Sequence, residues 1–141
     1  MPALCDANVL LALCDGKHLH HGAALAWLDE QEARSVVVCR ATQMTLLRLL
    51  TTAAVMGDDV STMAEAWKIY DAMLKDDRFM FLSEPPGTET AWRSYTRRST
   101  VAPKLWQDAH LAAVAVRAGI AVATFDQGFR QFEGLSVVVL S

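Results

Sequence analysis

Short apolar runs alternate along this chain with longer segments in which apolar side chains recur every three or four positions. The short runs are Ala3-Leu4-Cys5, Val36-Val37-Val38, Phe79-Met80-Phe81-Leu82, Ile120 to Thr124 and Leu135 to Leu140. They are short, apolar and in part β-branched or aromatic, so they read as buried strands. Helical spacing fills the gaps: Asn8 to Cys14, Leu19 to Glu32, a helix capped by Thr42 and carrying Met44, Leu46, Leu47 and Leu50, then Ser61 to Leu74, Glu89 to Arg98 and Leu105 to Arg117. Gly119 supplies the stop expected after the last of these. Gly57-Asp58-Asp59 reads as a turn, Ser99 to Pro103 as a loop, and Gln127 to Gln131 as a short turn or helix. The paired prolines of Glu84-Pro85-Pro86-Gly87 end the third run, because proline has no amide donor to continue a ladder. Apolar strands separated by helices predict parallel pairing, with helices on both faces and right-handed crossovers. The expected fold class is α/β, a three-layer domain with a parallel sheet of four or five strands. One domain spans 1–141, with no internal repeat or linker.

Composition narrows the function. A chain of 141 residues, 52% hydrophobic and 21% charged, is a packed globular protein and not a disordered one. Its formal net charge of −3 argues against a protein that coats nucleic acid by bulk charge. No apolar run reaches the roughly 18 residues of a membrane span. The segment Met1 to Asp6 lacks the basic and apolar regions of a signal peptide. Cys5, Cys14 and Cys39 are odd in number and lack CxxC spacing, which suits free thiols in a reducing cytoplasm.

The carboxylates carry the chemistry. In a parallel α/β sheet the binding crevice lies beyond the carboxyl ends of the strands. Asp6 directly follows the first strand and Asp126 the strand ending at Thr124, while Asp108 lies in the first turn of the helix from Leu105. Each also has a structural role open to it: Asp6 as a helix cap, Asp108 at a helix dipole, Asp126 as a turn residue. Three carboxylates meeting at one sheet end repel unless a cation neutralises them, and hard oxygen ligands suit Mg²⁺ or Mn²⁺. Such an ion at a crevice suits phosphodiester hydrolysis.

Asp6-Ala7-Asn8-Val9-Leu10-Leu11-Ala12-Leu13 resembles the opening strand and helix of PIN-domain ribonucleases, in particular the VapC-type toxins of bacterial toxin–antitoxin pairs. Thr42 to Thr51 is similar to that family's second motif. Trp106-Gln107-Asp108-Ala109-His110-Leu111-Ala112-Ala113 and Thr124-Phe125-Asp126-Gln127-Gly128-Phe129 resemble the third and fourth. The resemblance covers nearly the whole chain, with the motifs in family order. It implies a PIN fold, a Mg²⁺- or Mn²⁺-dependent endoribonuclease acting on RNA, a cognate antitoxin protein as partner, and a cytoplasmic homodimer. It maps the catalytic and metal-holding acids onto Asp6, Asp108 and Asp126. Asn8 and Thr124 match polar positions that orient a ligand or water. The family's second motif carries a glutamate where this chain has Gln43, whose amide can bond a water but cannot take its proton.

Other groupings carry less. Segment 84–104 has Arg93, Arg97, Arg98 and Lys104 against Glu84 and Glu89, a local +2 that makes it a candidate RNA-contacting strip. Segment 58–77 carries −4 and reads as a solvent face. His18, His20 and His21 lack metal-ligand spacing and read as a solvated helix start, and His110 as a surface or packing residue. Arg48 either pairs with a site acid or snorkels at the core edge. The competing function is a PIN-like protein that binds antitoxin or RNA without cutting, which Gln43 favours. A receiver domain, lacking its acidic pair, and a haloacid dehalogenase-type phosphatase, lacking Asp-x-Asp, fit poorly.

Overall fold

The computed structural model describes residues 1–141. In chain order the elements are β1 (Ala3–Cys5), α1 (Ala7–Cys14), α2 (His21–Asp29), β2 (Val36–Cys39), α3 (Arg40–Leu50), α4 (Ala53–Met56), α5 (Met63–Leu74), β3 (Phe79–Leu82), α6 (Thr88–Thr96), α7 (Leu105–Ala118), β4 (Ala121–Thr124) and β5 (Val137–Val139). Short 3₁₀ turns occupy Gly57–Asp59 and Gln127–Gln131. The strands form one sheet in the order β3-β2-β1-β4-β5, every pair parallel. This is the expected α/β sheet, with five strands.

Strand side chains alternate between faces, and here both faces are buried, so the strands are apolar throughout. Ala3, Cys5, Val36, Val38, Ala121 and Ala123 pack with Leu10, Leu46, Leu50 and Tyr70 from α1, α3 and α5. Leu4, Val37, Cys39 and Val122 face the other way, against Ala109, Ala112 and Val114 of α7 and the rings of Phe129 and Phe132. Alanine and valine on α7 let that helix lie close to the sheet. Gly119 closes it in the left-handed conformation, φ +72°, which a side chain disfavours. Cys5 and Cys39 are buried and Cys14 half-buried, all three as free thiols; burial pushes the Cys14 thiol up to about 11, which keeps it unreactive.

Several boundaries move. The α3 helix begins at Arg40, two residues before the expected cap. Thr42 sits three residues past the N-cap, where its hydroxyl accepts the Cys39 amide at 3.2 Å and donates to the Cys39 carbonyl at 3.1 Å. A threonine that reaches back to the chain's entry point marks the same helix start from inside it. The helix α5 starts at Met63, where Thr62 and Glu65 exchange hydrogen bonds in a capping box. The helix α2 starts at His21, not Leu19, and Leu19 is exposed.

Leu4 is fully buried on the central strand, whereas Val138 on edge strand β5 is exposed. Leu4→Ala should therefore lower unfolding free energy by about 2–5 kcal/mol. Val138→Ala should cost less than about 1 kcal/mol. Urea denaturation of both variants checks the contrast.

Candidate active site

The sheet order contains a reversal. The chain steps outward from β1 through β2 to β3, then returns to place β4 and β5 on the other side of β1. The connections leaving β1 and β4 therefore diverge and open a crevice at their carboxyl ends. Asp6 and Asp126 are the residues that follow those strands nearest the crevice. Thr124, buried at the end of β4, joins them: its hydroxyl donates to Asp6 Oδ2 at 2.8 Å and accepts the Asp126 amide at 2.9 Å. The Asp126 carboxylate accepts the Gly128 amide at 2.7 Å, so it is also a turn residue. A Cβ on residue 128 would come within 2.9 Å of Asp126 Oδ1 and displace that carboxylate from its present position.

The first turn of α7 brings Asp108 to the same place. Asp6 and Asp108 line a cavity of about 420 Å³ walled by Ala41, Thr42, Thr45 and Arg48 of α3 and by Trp92, Trp106 and His110. Burial raises the Asp6 carboxyl above its ordinary range. The Thr124 hydroxyl and the facing amides of Ala7 and Asn8, which close no cap hydrogen bond, pull it back, and the Asp126 charge raises it further. Asp108 is pushed up to about 6, first by burial and then by the charges of Asp6 and Asp126. None of the three acids forms a salt bridge. They are within electrostatic reach of one another, yet no three acidic, histidine or cysteine side chains converge on a common coordination point. The donor set still fits a hard divalent cation, being carboxylate oxygen with no basic group paired to it.

The remaining expected residues divide. Asn8 is exposed in the first turn of α1, and its amide, not its side chain, is what faces Asp6. Gln43 does not line the cavity. It is buried on the opposite side of α3, where its carbonyl accepts from Arg40 and its amide lies beside the Tyr70 hydroxyl. The cavity face of α3 comprises Ala41, Met44, Thr45 and Arg48, roughly half a helical turn from Gln43. Arg48 pairs with no acid, so of its two expected roles only the unpaired one survives. Arg93, Arg97, Arg98 and Lys104 are all exposed on α6, the loop after it and the start of α7. Arg93 is paired with Glu89 at 3.0 Å, and Arg98 donates to Gln131 at 3.2 Å.

Of its two expected roles, surface or packing, His110 takes the packing one. Its Nε2 lies 2.9 Å from Glu84, and its ring packs edge-on against Trp92 at 5.2 Å. The i, i+4 spacing of Trp106 and His110 places both on the cavity face of α7, a signal present in the sequence and not used. Of the histidine cluster, His20 stacks on Phe125 at 4.4 Å and His21 bonds the Ala12 carbonyl at 2.7 Å.

Comparison with known proteins agrees with this fold. The PIN domain family matches residues 3–135. Ribonuclease VapC41 of Mycobacterium tuberculosis is 46% identical over 98% of both chains. Ribonuclease VapC29 of the same organism is 30% identical over 99% of this chain and 97% of its own. Among solved structures, VapBC2 from Rickettsia felis, bound to a DNA fragment from its promoter, superposes with a TM-score of 0.71 over 100% of both chains at 10% identity. Mycobacterium tuberculosis VapC20, described as a Sarcin-Ricin loop cleaving toxin, gives 0.67 over 99% of both at 16% identity. At those identities the structures establish the fold.

The raised Asp108 makes stability depend on pH. With no divalent cation present, the folded state binds more protons than the unfolded one between the ordinary 3.8 and about 6. Stability therefore falls as pH rises through that window, and the penalty is complete above it. Asp108→Asn should raise the melting temperature near pH 7 and leave it unchanged near pH 4, measured in EDTA.

Proposed function

The chain belongs to the PIN-domain family, among the VapC ribonucleases, and on that premise we propose that it is an endoribonuclease toxin of a toxin–antitoxin pair. It hydrolyses phosphodiester bonds in RNA at the crevice of Asp6, Asp108 and Asp126. The observation that carries this reading is the gathering of three carboxylates at the sheet's reversal point without a single basic partner. The full-length likeness to chains named as ribonucleases supports it.

Asp6, Asp108 and Asp126 would hold Mg²⁺ or Mn²⁺. When bound, such an ion acidifies water and draws off the charge that builds on a phosphodiester oxygen. The protein's own part is arrangement. Thr124 fixes one oxygen of Asp6 and the backbone at Asp126, so two of the acids are oriented by one hydroxyl. Asp108 takes a proton near pH 6 in the absence of the ion, so proton and cation compete for it. Gln43 lies outside the cavity and adds no ligand. The exposed Arg93, Arg97, Arg98 and Lys104 attract the RNA backbone that the whole-chain charge of −3 would repel.

DNA-bound VapBC from Salmonella typhimurium and FitAB bound to a DNA fragment share this fold. That likeness supports pairing with a cognate antitoxin protein; a homodimer working in the cytoplasm is what the family resemblance implies. No helix is long and apolar enough to cross a membrane.

A second reading, binding of antitoxin or RNA without cutting, is favoured by the cavity wall of α3, which offers Ala41, Thr42 and Thr45 and no carboxylate. Incubation of the purified protein with cellular RNA and Mn²⁺ separates the two. The nuclease reading predicts cleavage that falls about 100-fold or more in Asp6→Asn, with equal cleavage by both proteins contradicting it. Gln43→Glu should leave cleavage near the natural level, because the new carboxylate meets Arg40. Activity gained only by Gln43→Glu would establish the binding reading.

A further inference from the structure

Of the two indoles that line the cavity, Trp106 is the more exposed. Trp106 is 56% exposed, yet it is held on a built support. The Trp92 indole donates to the Trp106 carbonyl at 2.9 Å, and the two rings meet edge to face with centroids 6.2 Å apart. Trp92 in turn rests on His110, which Glu84 holds. Trp106 also divides two environments. On one side it lines the acid cavity with Asp6 and Asp108, and on the other a cavity of about 380 Å³ with Arg93 and Arg97. The Arg97 guanidinium forms no ion pair or hydrogen bond of its own, unlike that of Arg93.

Resting on the nuclease reading above, we propose that Trp106 is a stacking platform for one unpaired RNA base, with Arg97 taking the phosphate on its outer side. The chemistry of a nucleotide strand matches the order of these groups. A base presents a flat face to an indole, one flanking phosphodiester reaches the acid crevice, and the next meets a free guanidinium. Bases paired within an A-form duplex keep their faces stacked and out of reach. The platform therefore selects single-stranded segments or loops from which a base can be turned out. A second copy of the chain is a poorer occupant, because the indole lies between two groups of opposite charge that a strand of phosphates and a cation satisfy together.

The test is binding of a short single-stranded oligoribonucleotide carrying 2-aminopurine, with Ca²⁺ in place of Mg²⁺ or Mn²⁺ so that the carboxylates stay neutralised while cleavage is suppressed. The natural protein should quench the 2-aminopurine and bind the single strand more tightly than a duplex of the same sequence. Trp106→Ala should weaken binding about 10-fold and abolish the quench, while Trp106→Phe restores most of both. Arg97→Ala should weaken binding, keep the quench and flatten the salt dependence. Trp67→Ala, exposed on α5, should behave as the natural protein. Unchanged binding and quench in Trp106→Ala overturn the platform, as do absent binding by the natural protein and equal affinity for the duplex. Sedimentation in which Trp106→Ala loses self-association but not RNA affinity also overturns it, making the indole an interface residue. Cleavage with Mn²⁺ that disappears in Asp6→Asn but is unaltered in Trp106→Ala rejects the platform and leaves the nuclease standing. Quenched, Trp106-dependent binding without any cleavage rejects the nuclease and leaves the platform.

Discussion

Repulsion among Asp6, Asp108 and Asp126 governs how this molecule is put together at one end. Burial and mutual charge raise the Asp6 and Asp108 carboxyls, and no lysine or arginine approaches closely enough to relieve them. A fold built only for stability would not assemble such a group, because each added carboxylate makes its neighbours harder to ionise. The apolar sheet beneath makes the arrangement tolerable. Its central strands are fully buried on both faces, so the strand ends that carry Asp6 and Asp126 are held by a packed core and not by their own interactions. Thr124 braces Asp6 and the Asp126 backbone together, and the Gly128 amide holds the Asp126 carboxylate.

The same sheet explains how much was legible from sequence. All five strands and the two acids that follow β1 and β4 could be read, because buried parallel strands are continuous apolar runs and a following aspartate breaks them visibly. Asp108 was legible from its place at a helix start. Helix entries were less so. Thr42 reads as a start because threonine caps helices, but it works from the third position inwards; periodicity alone begins α5 at Ser61, whereas Thr62 is its cap. Gln43 shows a harder limit. Its place in a motif says which residue type is expected there, and only the rotation of α3 says that it faces Arg40 and Tyr70, away from the acids.

Across the cavity, α6 and α7 contribute what single-residue reading overlooked. Trp92, Trp106, His110 and Glu84 are scattered over 84–110 and become a unit only when the two helices pack. Their exposed end adjoins the basic strip: Asp6 and Asp108 line the crevice with Arg48 unpaired on its α3 wall, Arg93 and Arg97 lie beyond it, and the Trp106 indole stands between. That arrangement reconciles a net charge of −3 with a polyanionic substrate. The bulk sum excludes coating of nucleic acid and leaves local capture open.

The account stands or falls on whether the three carboxylates share a divalent ion. A crystal soaked in Mn²⁺ and measured at the manganese absorption edge answers this directly. The predicted result is an anomalous peak bounded by the carboxylates of Asp6, Asp108 and Asp126, with Thr124 still bonded to Asp6. A crystal that takes up Mn²⁺ elsewhere on its surface while the crevice shows no peak would contradict it.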